Sequence, residues 1–235
     1  YMKFSCLLMT GLLISTSCTK DFEVINTNPT ALTPLNFDPN TLLPTIMLSH
    51  AGSATNNIVL ASNIAQLMAN SATTVDLKMT TGDKYLDMDT NNWMQDVFTN
   101  GYTGQIKQLI ELLELTRDKP EYANLYQIGR IVKALVFQRI TDAYGDVPYF
   151  DAGKAYHERI FYPKYDKQAL IYADLLKEVE EATNALNAAG PKPTGDEMYA
   201  GDIAKWQRFG NSLLLRIAMR MVKVDEAAAK AAALK

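Results

Sequence analysis

Apolar residues recur at helical spacing along most of the second half of the chain. Ile106, Leu109, Ile110 and Leu113 fall at i, i+3, i+4 and i+7, which places them on one face of a helix. Leu125, Ile128, Val132 and Leu135 repeat the pattern on a helix running to about Ala143. Ile171, Leu175, Val179, Ala182 and Leu186 form a third stripe, closed by the stop signal Gly190-Pro191. Ile203, Trp206, Gly210, Leu213, Ile217 and Met221 form a fourth, with Asp202 placed as its N-cap. Residues 41–51 and 57–72 read as further helices, and the Ala-rich residues 225–235 as another. Residues 73–92 are polar and read as a long loop between helices. Strand-like alternation of comparable length is missing from the pattern, so the fold class is all-α in the main.

Two of these helices carry a spacing used by helical repeats. Trp206-x-x-Phe209-Gly210-x-x-Leu213 matches the opening of a tetratricopeptide repeat, and Leu125-x-x-Ile128-Gly129-x-x-Val132 is a fainter echo. A glycine at that place lets a neighbouring helix approach closely. Trp206 lies on an apolar face and reads as core rather than as a ligand platform. Stacked helix pairs are the expected architecture.

The N-terminus follows a different logic. Lys3 precedes an apolar run from Phe4 to Ile14, then Ser15, Thr16 and Ser17, then Cys18. A positive start, a short apolar stretch and small residues make a secretory signal. The cysteine directly after them reads as the acylated residue of a bacterial lipoprotein, although Ser15 stands where a strict lipobox prefers Leu. Residues 1–17 are thus expected to be a signal peptide and residues 18–40, rich in Thr, Asn, Asp and Pro, a leader behind a lipid anchor at Cys18. Residues 41–235 are expected to form the helical domain, cut short at its C-terminus.

Composition narrows the chemistry. A formal charge of -3 leaves no basic excess to neutralise phosphates, which argues against nucleic acid as a partner. Two histidines and two cysteines, Cys6 and Cys18, offer neither a disulfide framework nor a zinc site. Nucleophile elbows and phosphate-binding glycine loops are missing from the motifs, so no catalytic residue and no cofactor is expected. Glu180-Glu181 reads as a solvated helix face.

Several segments together resemble one family. Cys18-Thr19-Lys20-Asp21-Phe22-Glu23 with Asn26-Thr27-Asn28-Pro29 looks like the start of a mature SusD/RagB lipoprotein. Thr141-Asp142-Ala143-Tyr144-Gly145-Asp146-Val147-Pro148-Tyr149 resembles that family's helix-ending segment. Tyr165-Asp166-Lys167-Gln168 resembles a helix start of the family, and Trp206 to Arg216 one of its helices. The matches run in order from residue 18 to 222 and are closer to the RagB-like branch than to starch-binding SusD. The resemblance implies a SusD-like scaffold with tetratricopeptide-like pairs, lipid-anchored on the outside of the outer membrane. It implies a partner, a TonB-dependent transporter of the SusC kind, and a ligand that is an oligosaccharide or a peptide. Full members are longer than this chain.

The helix-ending segment also has a plain reading: Gly145 supplies a left-handed turn, Val147-Pro148 starts an extended exit, and Asp142 and Asp146 satisfy turn amides. Asp87-x-Asp89-x-Asn91 opens like a calcium loop, but an EF-hand would need Gly where Asn92 stands and an acid where Phe98 stands, so no metal is assigned. The same loop mixes aromatics with amides and acids, the chemistry that binds sugars. Tyr85, Asp87, Asp89, Asn92 and Trp93 are the expected ligand residues, although Trp93 opens the next apolar run and reads first as a packed residue. The leading function is nutrient binding. The rivals are a glycan-processing enzyme on a helical scaffold and a helical-repeat adaptor for protein.

Overall fold

A computed structural model describes residues 37–52 and 97–234, together with Asp21, Asn26, Asn28, Ser62 and residues 65–67. The chain divides into two units, Tyr1–Asp38 and Pro39–Lys235, and the second carries the helical stack. Its elements are α1 (Leu42–Ala51), α2 (Lys107–Thr116), α3 (Ala123–Tyr144), the short strand β1 (Val147–Pro148), α4 (Ala155–Glu158), β2 (Tyr165–Asp166), α5 (Gln168–Ala185), α6 (Ile203–Met221) and α7 (Glu226–Ala233). A π-helical turn, Gly101–Ile106, leads into α2. The expected helix at 57–72 and the loop at 73–92 lie outside the described residues, apart from Ser62 and residues 65–67.

The helices pack largely in chain order: α2 on α3, α3 on α5, α5 on α6, and α6 on α7. That succession of neighbouring helices is the tetratricopeptide-like stack the spacing predicts. The one sheet among the described residues is the antiparallel pair β1–β2, with Val147 opposite Asp166 and Pro148 opposite Tyr165. Among the described residues, no helix is long and apolar enough to cross a membrane.

The apolar stripes face where their spacing places them. Leu109 and Leu113 of α2, Leu125, Ile128 and Val132 of α3, Ile171, Leu175 and Val179 of α5, and Trp206, Leu213 and Ile217 of α6 are all buried. Burying one such side chain contributes about 1.5–3 kcal/mol. The middle of α3 is buried on nearly every side, from Ile131 to Phe137 and on to Ile140, as a helix packed between others must be.

Both repeat glycines stand at close approaches. A Cβ on Gly129 would lie 2.6 Å from Leu112 Cδ2 of α2, and one on Gly210 would lie 2.0 Å from Thr183 Oγ1 of α5. No side chain fits at either place without moving its neighbour.

The helix ends obey local chemistry. Asp202 caps α6 through its Oδ1, which accepts from the Lys205 amide at 3.1 Å. Asp225 caps α7 in the same way, from the Ala228 amide at 2.9 Å. The end of α5 differs from expectation. The helix stops at Ala185 and Leu186 is already extended, so Gly190-Pro191 lies in the following loop rather than at the cap. Asn124 of α3 holds that loop, donating to the carbonyls of Asn187 and Pro191 and accepting from the Asn187 amide. A side chain on another helix decides where the turn goes.

Candidate functional site

The corner after α3 builds the rim of a cleft. Gly145 ends the helix with φ +75° and ψ -120°, a conformation glycine enters without steric cost. This is not the left-handed helical turn expected, although the positive φ is. The two aspartates, expected to satisfy turn amides, bond partners outside their own turn instead. Asp146 accepts from the amide of Gln168 at 3.0 Å and pairs with Lys167 Nζ at 2.7 Å, which fixes the start of α5. Asp142 accepts from the Tyr172 hydroxyl and pairs with Arg220 Nε at 2.9 Å, which ties α3 to α5 and α6. Asp166 Oδ2 accepts from the amides of Tyr149 and Phe150, each at 2.9 Å. The loop 149–166 is therefore anchored at both ends.

Tyr149 turns inward from that anchor. Its ring is buried edge-on to Phe137, with centroids 4.6 Å apart, and its hydroxyl donates to Asp174 Oδ2 at 2.7 Å. Burial, with the negative charge of Asp174 beside it, pushes the phenol far above its ordinary pKa and keeps it protonated. Beside it lies a polar network across α3 and α5. Arg130 donates twice to Glu178, at 2.8 and 3.2 Å, and once to Glu181 at 2.8 Å. Lys133 Nζ is 3.7 Å from Glu178 and 5.8 Å from the centre of the Tyr149 ring. Burial would raise the pKa of Glu178, but the hydrogen bonds from Arg130 and the charge of Lys133 outweigh it and leave the carboxyl below its ordinary value. Glu178 is thus a fixed acceptor at neutral pH, not a proton donor. Glu181, expected as part of a solvated face, serves this network.

These groups line a cleft of about 470 Å³ between α2, α3, α5 and the loop after β1. That volume falls within the roughly 300–1,000 Å³ of small-molecule sites. The floor is Phe137 and Tyr149, the sides carry Tyr126, Arg130, Lys133 and Glu178, and the half-exposed Phe150 stands at the mouth. The same loop also exposes Tyr156, Phe161, Tyr162 and Tyr165. Of the lining rings, Phe150 and the half-buried Tyr126 are accessible to stack on the C–H face of a sugar, Phe137 and Tyr149 being buried beneath them, and the polar side chains offer partners for its hydroxyls.

A second hollow, of about 940 Å³, lies between α5, α6 and the residues leading into α7. Its lining is richer in apolar side chains, with Leu176, Met219, Met221 and Val224, and its polar groups Asp142, Tyr172 and Arg220 are bonded to one another. The first cleft is the better candidate, because it joins aromatic surface to polar groups at an open mouth.

The cleft residues differ from those expected from sequence. Cys18, Tyr85, Asp87, Asp89, Asn92 and Trp93 lie outside the described residues. Among the described residues, no group of three or more His, Cys, Asp or Glu could hold a metal ion. A signal for the cleft did exist. Tyr126, Arg130, Lys133 and Phe137 stand at i, i+4, i+7 and i+11 of α3, and Asp174, Glu178 and Glu181 at i, i+4 and i+7 of α5. Both stripes run at helical period, and their charged members have opposite sign.

The family model for SusD-like proteins, described as starch-binding and associating with the outer membrane, matches residues 29–235. Among solved structures, a chitin-binding protein is 32% identical at a TM-score of 0.73, over 83% of this chain and 42% of that one. A SusD-like protein designated Bacteroidetes AC2a is 29% identical at a TM-score of 0.71, over 84% of this chain and 36% of that one. A SusD homologue from Bacteroides uniformis ATCC 8492 is 27% identical at a TM-score of 0.61, over 83% of this chain and 40% of that one. The chain therefore spans less than half the length of each of these structures. No curated protein matches it.

Proposed function

This chain belongs to the SusD-like family, and on that premise we propose that it is part of a cell-surface lipoprotein that binds oligomeric nutrients, glycans first among them. In this reading it passes them to a TonB-dependent SusC-like transporter in the outer membrane and binds rather than transforms its ligand. The observation that carries the reading is the aromatic and polar cleft on a stack matched by the starch-binding family model and by a chitin-binding structure. Within the proposal, residues 1–17 are a signal peptide, Cys18 carries the lipid, residues 18–40 are a leader, and residues 41–235 belong to the binding domain. Tyr85, Asp87, Asp89, Asn92 and Trp93 are proposed as ligand contacts in addition to the cleft residues.

Calorimetric titration of the full chain with starch-derived and chitin-derived oligosaccharides tests the binding. One of the two series binds, and Phe150→Ala and Tyr85→Ala each weaken that binding about tenfold, the loss of one stacking contact of about 1–1.5 kcal/mol. Melting temperature stays nearly constant in the Phe150 variant, because that ring stands half exposed at the mouth. Titration by peptides with no response to either oligosaccharide would move the ligand to the peptide class. The anchor has its own test. Cys18→Ala leaves the protein unacylated and missing from the outer-membrane fraction, since a membrane hold of this kind comes from acyl chains. A variant that stays acylated and membrane-bound removes Cys18 from the scheme.

A further inference from the structure

We infer that the cleft selects uncharged sugar units over uronic or sulfated ones; this rests on the glycan-binding reading above. Among the described residues that line the cleft, the cations are Arg117, Arg130, Lys133 and Lys154, and the carboxylates are Glu114, Glu158, Asp174 and Glu178. The two sets are equal in number, and every cation already faces a carboxylate. Arg117 pairs with Glu114. Arg130 is held by Glu178 and Glu181, Lys133 faces Glu178 at 3.7 Å, and Lys154 meets Glu158 at 3.2 Å. Glu181, just beyond the lining, adds one more negative charge.

An anionic sugar would find no unmatched cation. Any N–H it took from Arg130 or Lys133 would bring its charge beside Glu178, and like charges brought that close in a partly buried site repel. A neutral sugar meets no such conflict. Its hydroxyls can donate to carboxylate oxygens and accept from guanidinium and ammonium groups without breaking the pairs, because each charged group has more hydrogen-bonding positions than its partner uses. Selectivity here comes from a repulsive arrangement as much as from contacts. Glu178 is the centre of it, since it answers both Arg130 and Lys133.

The test is titration of the full chain with matched neutral and anionic oligosaccharides: chito- and malto-oligosaccharides against oligogalacturonate and a sulfated oligosaccharide of equal length. The wild-type chain binds a neutral series at least tenfold tighter than any anionic one. Glu178→Gln keeps the shape of the side chain but releases Lys133, so the ratio of oligogalacturonate to neutral affinity rises about tenfold. Glu114→Gln frees Arg117 from an exposed pair, where folding is not at risk, and shifts the preference the same way by a smaller factor. Anionic binding by the wild type as tight as neutral, or a ratio unmoved in both variants, overturns the inference and leaves the glycan reading standing. Binding to neither class overturns the glycan reading and this inference with it.

Discussion

Asp196→Ala costs this protein about 3–5 kcal/mol, the range for removing one partner from a buried, charge-assisted set of bonds. Asp196 is only 6% exposed. Its carboxylate accepts from the amides of Met198 at 3.0 Å, Tyr199 at 3.1 Å and Gly201 at 2.9 Å, and from Trp206 Nε1 at 2.7 Å. It folds the loop before α6 around itself and satisfies the indole of a fully buried tryptophan that Tyr199 and Phe209 flank edge-on. Alanine leaves four donors without that partner, and a buried donor without a partner costs about 1–3 kcal/mol. Asp196→Asn keeps one acceptor and loses less. Equilibrium urea unfolding reads the difference, and the melting point falls on the order of 10 °C at about 2–4 °C per kcal/mol. A loss under about 1 kcal/mol in the alanine variant would show that the loop does not depend on this carboxylate.

Gly210→Ala is the second large effect, and it reports on the helix stack directly. The new Cβ would lie 2.0 Å from Thr183 Oγ1, 3.0 Å from its Cγ2 and 3.1 Å from its Cβ. Threonine is branched at Cβ, so turning χ1 exchanges one clash for another. The way out is for α6 to move from α5, which loosens the contacts of Trp206, Leu213 and Ile217 with the core. Overpacking of this kind costs about 1–3 kcal/mol, and sometimes more. The double variant Gly210→Ala with Thr183→Ala separates the clash from the gain in helix propensity that alanine brings. Thr183 Oγ1 is buried without a hydrogen-bond partner, so its removal is cheap. The pair recovers more than half of the lost stability, a coupling expected only of residues in contact. Equal instability of the single and double variants would mean that Gly210 matters for some other reason.

The polar stripes show why the fold was legible in the sequence and the cleft was not. Leu125, Ile128 and Val132 announce a buried face because hydrophobic burial depends on periodicity alone, and any partner helix serves. Tyr126, Arg130 and Lys133 sit on the same helix at the same period, but charges become a site only when a particular partner face meets them. That face is α5, 48 residues away between Arg130 and Glu178. Sequence spacing within a helix cannot register two helices against each other. Glu181 is half exposed, as its place in the sequence suggests, and only its bond to Arg130 across the two helices lies beyond the reach of spacing.

What the sequence determined by itself was the long helices among the described residues, their buried faces, the aspartate cap of α6 and the glycine end of α3, together with the family, which the ordered motifs carried. Each of these is set within a few turns of chain, by side-chain period, by a cap that bonds its own helix, or by a backbone angle open to one residue type. The tertiary structure decided where α5 stops, because Asn124 seizes the loop after it. It decided that Asp142 and Asp146 join helices instead of closing their own turn. It decided, above all, that the charges of α3 and α5 cancel around an aromatic cleft, since a Coulomb interaction depends on distance through space, and that distance is fixed only when the helices have packed.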